Sequence, residues 1–147
     1  MIAALFEEIR ASQNVSDAFD EAVCRKLGIN RTDHRCVDIL ERSGPLTAGE
    51  LAERLHLSTG AVTTVVDRLE KKGLARRVRD TADRRRVVVE VTEGARDLGA
   101  YYEPLARGAT ALVAPYTDAQ LKLMVDFMRG GREMSEEALR DLLASLD

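Results

Sequence analysis

Residues 58–92 read STGAVTTVVDRLEKKGLARRVRDTADRRRVVVEVT, and this pattern predicts a short amphipathic helix followed by two strands. Ser58 is a favourable N-cap residue, and Gly73 can adopt the left-handed conformation that commonly ends a helix. The apolar residues between them are spaced to form one buried stripe, made of Val62, Val65, Val66 and Leu69. The other face is polar, with short side chains near its start. We therefore expect a helix that has one face in a core and the other free for contact.

The two predicted strands cover residues 74–79 and 86–92. Val87, Val89 and Val91 alternate along the second strand, so we expect them on one face of the hairpin. The connecting tip, DTADRR, is polar and basic, which is typical of an exposed turn.

A helix and a tight turn are predicted immediately before the amphipathic helix. Thr47 and Glu50, in the sequence TAGE, match a capping box and predict a short helix with Leu51 and Leu55 on its inner face. Residues 56–58 then leave only a three-residue turn. This arrangement is typical of a helix-turn-helix unit.

A further helix is predicted over residues 33–43, with Thr32 as its N-cap. Gly44 and Pro45 should end it, because neither continues a helix well. The next residue, Leu46, is expected to make an isolated β contact.

Both ends of the chain are predicted to be helical. Apolar stripes run along residues 2–27 and 98–128, and they are too extensive for one chain to cover. We expect these helices to pack against the same segments of a second chain. The helical pattern that begins at Glu93 should kink at Pro104. Thr117 and Gln120, in the sequence TDAQ, match a further capping box and predict another helix, which the glycine pair 130–131 should interrupt.

Positive charge is concentrated beside the predicted hairpin. Residues 54–86 hold ten Lys or Arg and four Asp or Glu, a local charge of +6, whereas the whole chain carries −3. An acidic protein that gathers its positive charge around one helix and one hairpin is suited to bind a polyanion with one surface. Double-stranded DNA is the leading candidate.

Composition and motifs argue against several other classes of protein. The 147 residues suffice for one domain, and they contain no Gly-rich phosphate loop, no Gly-x-Ser-x-Gly and no His-Glu-x-x-His. We therefore expect no enzyme activity, no cofactor and no metal site. No signal-peptide core or membrane-spanning run is visible, so a cytoplasmic protein without membrane contact is predicted.

Two segments resemble the MarR-type (multiple antibiotic resistance regulator) winged helix-turn-helix transcription factors. The sequence DTADRRRVVVEVTEG, residues 80–94, is similar to the family's wing pattern of Asp, two residues, Asp-Arg-Arg and a hydrophobic strand ending in Thr and Gly. The sequence GPLTAGELAERLHLSTGAVTTVVDRLEKKGLARR, residues 44–77, is similar to the family's helix-turn-helix. Thr81 stands where the family usually has Pro, which should loosen the turn.

The predicted fold is therefore mostly α-helical with a small β-hairpin wing, a winged helix-turn-helix flanked by N- and C-terminal dimerisation helices. We expect one domain over residues 1–147, with a DNA-binding lobe at 30–94 and a helical dimerisation region at 1–29 and 95–147. The resemblance implies a homodimeric, ligand-responsive transcription regulator, most simply a repressor, that binds an inverted-repeat operator.

The candidate DNA-contacting residues lie on the amphipathic helix and the wing. Small polar residues at the start of a helix can approach base edges in the major groove, and guanidinium groups at the wing tip suit a narrow minor groove. The resemblance implies that Asp83 organises the wing and that Arg85 enters the groove. The full candidate set is Ser58, Thr59, Thr63, Thr64, Arg68, Arg76, Asp83, Arg84, Arg85 and Arg86.

The resemblance also implies a small aromatic or lipophilic effector near His34, Tyr101 and Tyr102. A role for the two tyrosines in the helix core is the alternative. Two further readings stay open: a winged helix that contacts protein instead of DNA, and a redox- or metal-sensing regulator that uses Cys24 or Cys36. The spacing of these cysteines favours buried structural roles.

Overall fold

A computed structural model of the protein describes residues 1–145, including all side chains except those of residues 96 and 97. The helices are α1 (Ile2–Leu27), α2 (Arg31–Ser43), α3 (Ala48–Leu55), α4 (Thr59–Lys71), α5 (Arg96–Ala100), α6 (Glu103–Val113) and α7 (Asp118–Ala144), and the strands are β1 (Ala75–Arg79) and β2 (Val87–Val91). A short 3-10 helix, Glu93–Ala95, precedes α5. The predicted fold class, mostly helical with one hairpin, is confirmed.

The chain divides into two compact units, residues 1–102 and 103–147. The first contains the helix-turn-helix and the hairpin, and its core is formed mainly by α2, α3 and α4. The second contains α6 and α7, which have no buried residues of their own. Within the described part of the chain, no helix is both long and apolar enough to cross a bilayer.

The helix-turn-helix follows the predicted pattern closely. All four apolar residues of the α4 stripe are at most 3% exposed, because they pack against α2 and α3. Ser58 caps α4, and Thr47 and Glu50 form the predicted capping box of α3. Leu46 forms the predicted isolated bridge, exchanging backbone hydrogen bonds of 3.1 and 2.7 Å with Val89.

The hairpin is antiparallel, with Ala75 opposite Val91 and Arg79 opposite Val87. The register is regular along β2, so Val87, Val89 and Val91 alternate onto one face as predicted. Burial along this strand is uneven, because Val87 lies beside the exposed turn and is 53% exposed, whereas Val88 and Val89 are 5% and 3% exposed.

The hairpin packs closely against the end of α4 at a glycine pair. Gly73 has φ of +68°, and a Cβ placed on Gly94 would lie 2.4 Å from the Gly73 carbonyl oxygen. Only glycine fits at position 94 without displacing the backbone.

The start of α2 differs from the prediction. The helix begins at Arg31, and its N-cap is Asn30 instead of Thr32. The Asn30 side chain accepts a hydrogen bond from the Asp33 amide at 2.8 Å, and the Asp33 carboxylate accepts one from the Asn30 amide at 3.4 Å. This reciprocal capping box satisfies two backbone donors, whereas Thr32 lies inside the first turn.

The helical pattern after Glu93 also differs. Instead of a long helix that kinks at Pro104, the chain forms the 3-10 helix and α5, and starts a new helix at Glu103. Pro104 is the second residue of α6, a position where its missing amide and fixed φ cost little.

The glycine pair at 130–131 does not interrupt α7, which contradicts the prediction. Two glycines cost about 2 kcal/mol relative to alanine. Ion pairs on the surface of the helix, Arg129–Asp126 and Arg132–Glu136, help to offset this cost.

Candidate nucleic-acid interface and effector pocket

The start of α4 presents short polar side chains to solvent. Ser58, Thr59, Thr63 and Thr64 are all exposed. The hydroxyl groups of Thr63 and Thr64 donate to the carbonyl oxygens of Thr59 and Gly60 at 3.0 and 3.3 Å. These bonds restrain the side chains while the hydroxyl oxygens keep lone pairs that can accept from a base. The helix is thus suited to close approach to base edges.

The wing turn is held by two aspartates that bind backbone amides. Asp83 Oδ1 accepts from the Arg85 amide at 3.0 Å. Asp80 Oδ1 accepts from the amides of Ala82 and Asp83 at 2.8 and 3.4 Å. The Asp83 carboxylate therefore shapes the turn through the backbone instead of through an arginine side chain. Asp80 was not among the predicted site residues, although an aspartate two residues before an amide is a recognised turn signal.

Arg84 and Arg85 at the wing tip, and Arg79 at the end of β1, are the wing arginines that remain available for a ligand. All three are exposed, and none of their side chains forms an ion pair among the described residues. Arg86 differs, because its Nη2 lies 3.3 Å from Glu50 Oε1 and its Nη1 lies 3.9 Å from Asp80 Oδ2. Backbone and side-chain hydrogen bonds from Thr47, with the Arg86 charge, lower the pKa of Glu50. Arg86 therefore joins the wing to the start of α3.

Two other candidate arginines are already paired with carboxylates. The Arg76 guanidinium lies 2.7 Å from Glu90, its cross-strand neighbour. Arg68 binds Asp33 of α2 through Nε and Nη2. DNA contact by these two residues stays a prediction, and each arginine would have to contact DNA while it keeps its ion pair with the carboxylate.

Arg77 was not among the candidates, and it ties the hairpin to α4. Its guanidinium forms ion pairs with Asp67, at 2.8 Å, and with Glu70. The sequence shows a high density of charged residues in this region, but it cannot show which of them form ion pairs.

A pocket of about 440 Å³ lies in the first unit, between α1, α2 and α5. His34 and Tyr102, two of the three predicted effector residues, contribute to its lining. Tyr101 is not among the lining residues. The lining consists of Asp20, His34, Arg35, Asp38, Glu41, Leu98, Gly99 and Tyr102.

Tyr102 also links the three helices around this pocket. Its hydroxyl donates to Asp20 Oδ1 at 2.7 Å and lies 2.8 Å from His34 Nε2, so that nitrogen must carry a proton to donate in return. Its ring packs edge-on against Phe19, with centroids 5.3 Å apart. Burial and the hydrogen bond to Asp20 hold the pKa of Tyr102 well above its usual range. The residue therefore combines a structural role with a place in the pocket wall.

The two cysteines are buried and free. Cys24 is 3% exposed and Cys36 is fully buried. Desolvation by burial raises the pKa of Cys24, and it raises the pKa of Cys36 to about 11, with a further increase from Asp33. Both side chains are therefore protonated at neutral pH, a state that disfavours reaction with oxidants and metals. Among the described residues, no group of three or more His, Cys, Asp or Glu is arranged to hold a metal ion.

Comparison with known proteins points to one family. The MarR family model matches residues 29–87. The chain is 41% identical to the uncharacterised HTH-type transcriptional regulator YcgE of Bacillus subtilis (strain 168) over 125 residues, 84% of this chain and 81% of the relative. It is 30% identical to the HTH-type transcriptional repressor MdtR of the same strain over 115 residues, 78% and 68% of the two chains.

A solved structure shows the same architecture. A MarR family protein from Bacillus stearothermophilus is 27% identical, with a TM-score of 0.62, and the match covers 92% of this chain and 94% of that one. These relatives are transcription regulators and not enzymes. The capped α4 with its exposed threonines, the ordered wing and these similarities together show that the chain belongs to the MarR family of transcription regulators and has its DNA-binding fold.

Proposed function

We propose that this regulator is a homodimeric repressor that binds an inverted-repeat operator and releases it when a small molecule occupies the pocket. The observation that carries the DNA-binding part is the wing tip, where Arg84 and Arg85 have no ion-pair partner among the described residues. Most other arginines of the lobe neutralise a nearby carboxylate. Unpaired guanidinium groups on an ordered turn suit the minor groove, where negative potential is strongest.

The exposed face of α4 supplies the complementary contact. Ser58, Thr59, Thr63 and Thr64 approach base edges in the major groove, while the wing holds the adjacent backbone and minor groove. MdtR, a relative, is a transcriptional repressor, which supports repression as the simplest outcome of operator binding.

Dimerisation is supported by apolar side chains that remain exposed on the terminal helices. At the start of α1, Ile2 is 75% exposed and Phe6 is 50% exposed. The second unit exposes a longer set: Leu105, Leu112, Val113, Tyr116, Leu123, Met124, Val125, Phe127, Met128, Met134, Leu139, Leu142 and Leu143. Apolar surface on this scale marks a protein interface. A second copy of the chain is the proposed occupant, because the two-fold symmetry of a dimer matches an inverted-repeat operator.

The effector proposal rests on the pocket beside His34 and Tyr102. Leu98 and the Tyr102 ring offer apolar surface, which favours an aromatic or lipophilic compound. The lining also has three carboxylates and one arginine. Glu41 has a raised pKa because of burial and the nearby charge of Asp38. A neutral or cationic compound therefore fits this lining better than an anionic one.

Selection from a random DNA pool, followed by a salt titration on the selected site, tests this function. With roughly six to ten phosphate contacts for the dimer, the slope of log K against log salt should be about −5 to −9. Light scattering should give about twice the chain mass of 16.2 kDa. A slope near zero would favour the protein-contact reading of the winged helix. A monomer that binds the selected site tightly would refute the proposed dimer.

A further inference from the structure

Arg68 of α4 and Asp33 of α2 form an ion pair in which the carboxylate is almost completely buried. Arg68 Nη2 lies 2.6 Å from Asp33 Oδ1, and Nε lies 3.1 and 3.2 Å from the two carboxylate oxygens. The Asp33 side chain is 4% exposed, whereas Arg68 retains 40% exposure. One edge of the guanidinium group is therefore fully used by a residue that DNA cannot reach.

Asp33 is itself held in place by the capping box at the start of α2. Its carboxylate accepts from the Asn30 amide, and its own amide donates to the Asn30 side chain. A buried carboxylate is costly without a partner, so the position of Asp33 dictates where the Arg68 fork must lie. The pair thus connects a fixed point on α2 to α4, which carries the threonines.

The apolar stripe of α4 does not provide the same restraint. Packing of Val62, Val65 and Leu69 holds the helix against the core, but hydrophobic contact has little directional preference. A two-point hydrogen-bonded ion pair adds a directional restraint on the rotation of the helix about its axis and on its position along that axis. Base readout needs such precision, because side chains must lie within about 0.5 Å of their productive positions.

We propose that Asp33 and Arg68 are positioning residues for base readout, and that Arg68 acts through Asp33 instead of through a DNA phosphate. This inference rests on the proposed DNA-binding function. It assigns a role in sequence specificity to Asp33, a residue that cannot itself contact DNA.

The two possible roles of Arg68 predict opposite results for Arg68→Lys. Lysine keeps the positive charge that a phosphate contact needs, but it lacks the planar fork that engages Asp33. A positioning role predicts that the Kd for non-specific DNA divided by the Kd for the selected site falls about tenfold. This is the effect expected from the loss of one base contact, and the salt slope should stay unchanged. A phosphate-contact role predicts a ratio close to wild type. Arg42→Lys is the matched control, because Arg42 pairs with Asp38 on an exposed helix face, where the side chains are 78% and 52% exposed.

Asp33→Asn provides a second test. It removes a negative charge without adding bulk, so a phosphate-contact role for Arg68 predicts unchanged or tighter binding. The positioning role predicts the same loss of specificity as Arg68→Lys, with no further loss in the double variant. If Asp33→Asn does not fold, Arg68→Lys decides alone, since Arg68 is partly exposed.

These experiments distinguish a failure of the positioning role from a failure of the proposed DNA-binding function. If the wild-type protein shows no preference for any selected DNA site, the proposed function itself fails. If the wild type binds specifically and Arg68→Lys keeps the wild-type specificity ratio, only the positioning role is refuted.

Discussion

Arg86 at the base of the wing and Glu50 at the start of α3 are 3.3 Å apart, measured from Nη2 to Oε1. Glu50 also closes the α3 capping box by accepting from the Thr47 amide at 2.7 Å. The wing is thereby fastened to the helix-turn-helix at its base, while the next two arginines toward its tip stay unpaired. Three adjacent arginines thus differ in their contacts, because one is paired within the lobe and two are not.

Arg85→Ala should weaken operator binding and make the salt slope less negative by about 2 for a dimer, because each lost phosphate contact changes it by about 0.9. The loss should be largest on sites with A·T-rich flanks, where the minor groove is narrowest. Fluorescence anisotropy with matched duplexes measures both effects. Arg25→Ala, which removes an exposed positive charge from the end of α1, is the control for net charge. Equal losses in the two variants would show that the wing has no specific role.

Asp83→Ala and Asp80→Ala should weaken operator binding as Arg85→Ala does, even though each removes a negative charge. Both carboxylates hold backbone amides of the turn, so their loss should disorder the tip. Affinity measured at two salt concentrations tests this expectation. Tighter binding by either variant would mean that simple charge governs the wing and that its ordered shape is irrelevant.

Thr63→Ala should change which bases are preferred at the centre of each half-site while leaving the salt slope unchanged. The exposed Thr63 hydroxyl is held by the Thr59 carbonyl and can still accept a hydrogen bond from a base. Repeating the selection experiment with the variant gives the measurement. Thr63→Ser retains the hydroxyl and should keep the wild-type preference. An unchanged sequence preference for Thr63→Ala would remove this residue from the base-reading set.

Tyr102→Phe should lower the free energy of unfolding by about 1 to 3 kcal/mol, because it leaves the buried His34 without its hydrogen-bond partner and removes one of the two partners of Asp20, the other being Arg31. Urea denaturation measures the change. Tyr101→Phe is the control and should stay within about 0.5 kcal/mol of wild type, the usual range away from buried networks. A similar stability for both variants would contradict the structural role assigned to Tyr102.

Cys24 and Cys36 should react slowly with iodoacetamide in the folded protein near neutral pH. Their pKa values are raised, so the reactive thiolate is scarce below the folded pKa and becomes abundant only as pH rises through it. For Cys36, with a pKa of about 11, the thiolate fraction at pH 8 is about 1 in 1,000. Mass spectrometry of alkylated samples, with guanidinium-unfolded protein as the fast control, follows the reaction.

The same property bears on redox sensing. Cys24→Ser and Cys36→Ser should leave DNA binding and its release unchanged. Loss of a peroxide-dependent release in either variant would favour the alternative regulator that senses oxidants through these residues.

The sequence was most informative where local chemistry decides the structure. Spacing of apolar residues was enough to identify the buried stripe of α4, and TAGE was enough to identify the cap of α3. These features depend on residues within one or two turns of each other. The unbroken α7 was missed because helix propensity at 130–131 is outweighed by the rest of a 27-residue helix.

The part of the site that could not be predicted consists of pairs far apart in the chain. Asp33 and Arg68 are separated by 35 positions, and Glu50 and Arg86 by 36. Many carboxylates could pair with each arginine, and only the folded backbone selects one. The sequence therefore located the charged surface but could not distinguish arginines that form ion pairs within the lobe from those that stay unpaired.

The apolar surface of α6 and α7 has a consequence for how this regulator responds to its own abundance. If two chains must associate before an operator is bound, the concentration of active species rises with the square of chain concentration whenever chains are scarce. Operator occupancy then changes steeply over a narrow range of expression, without any cooperativity between operators. A twofold change in the amount of chain synthesised would then change the concentration of the DNA-binding dimer about fourfold.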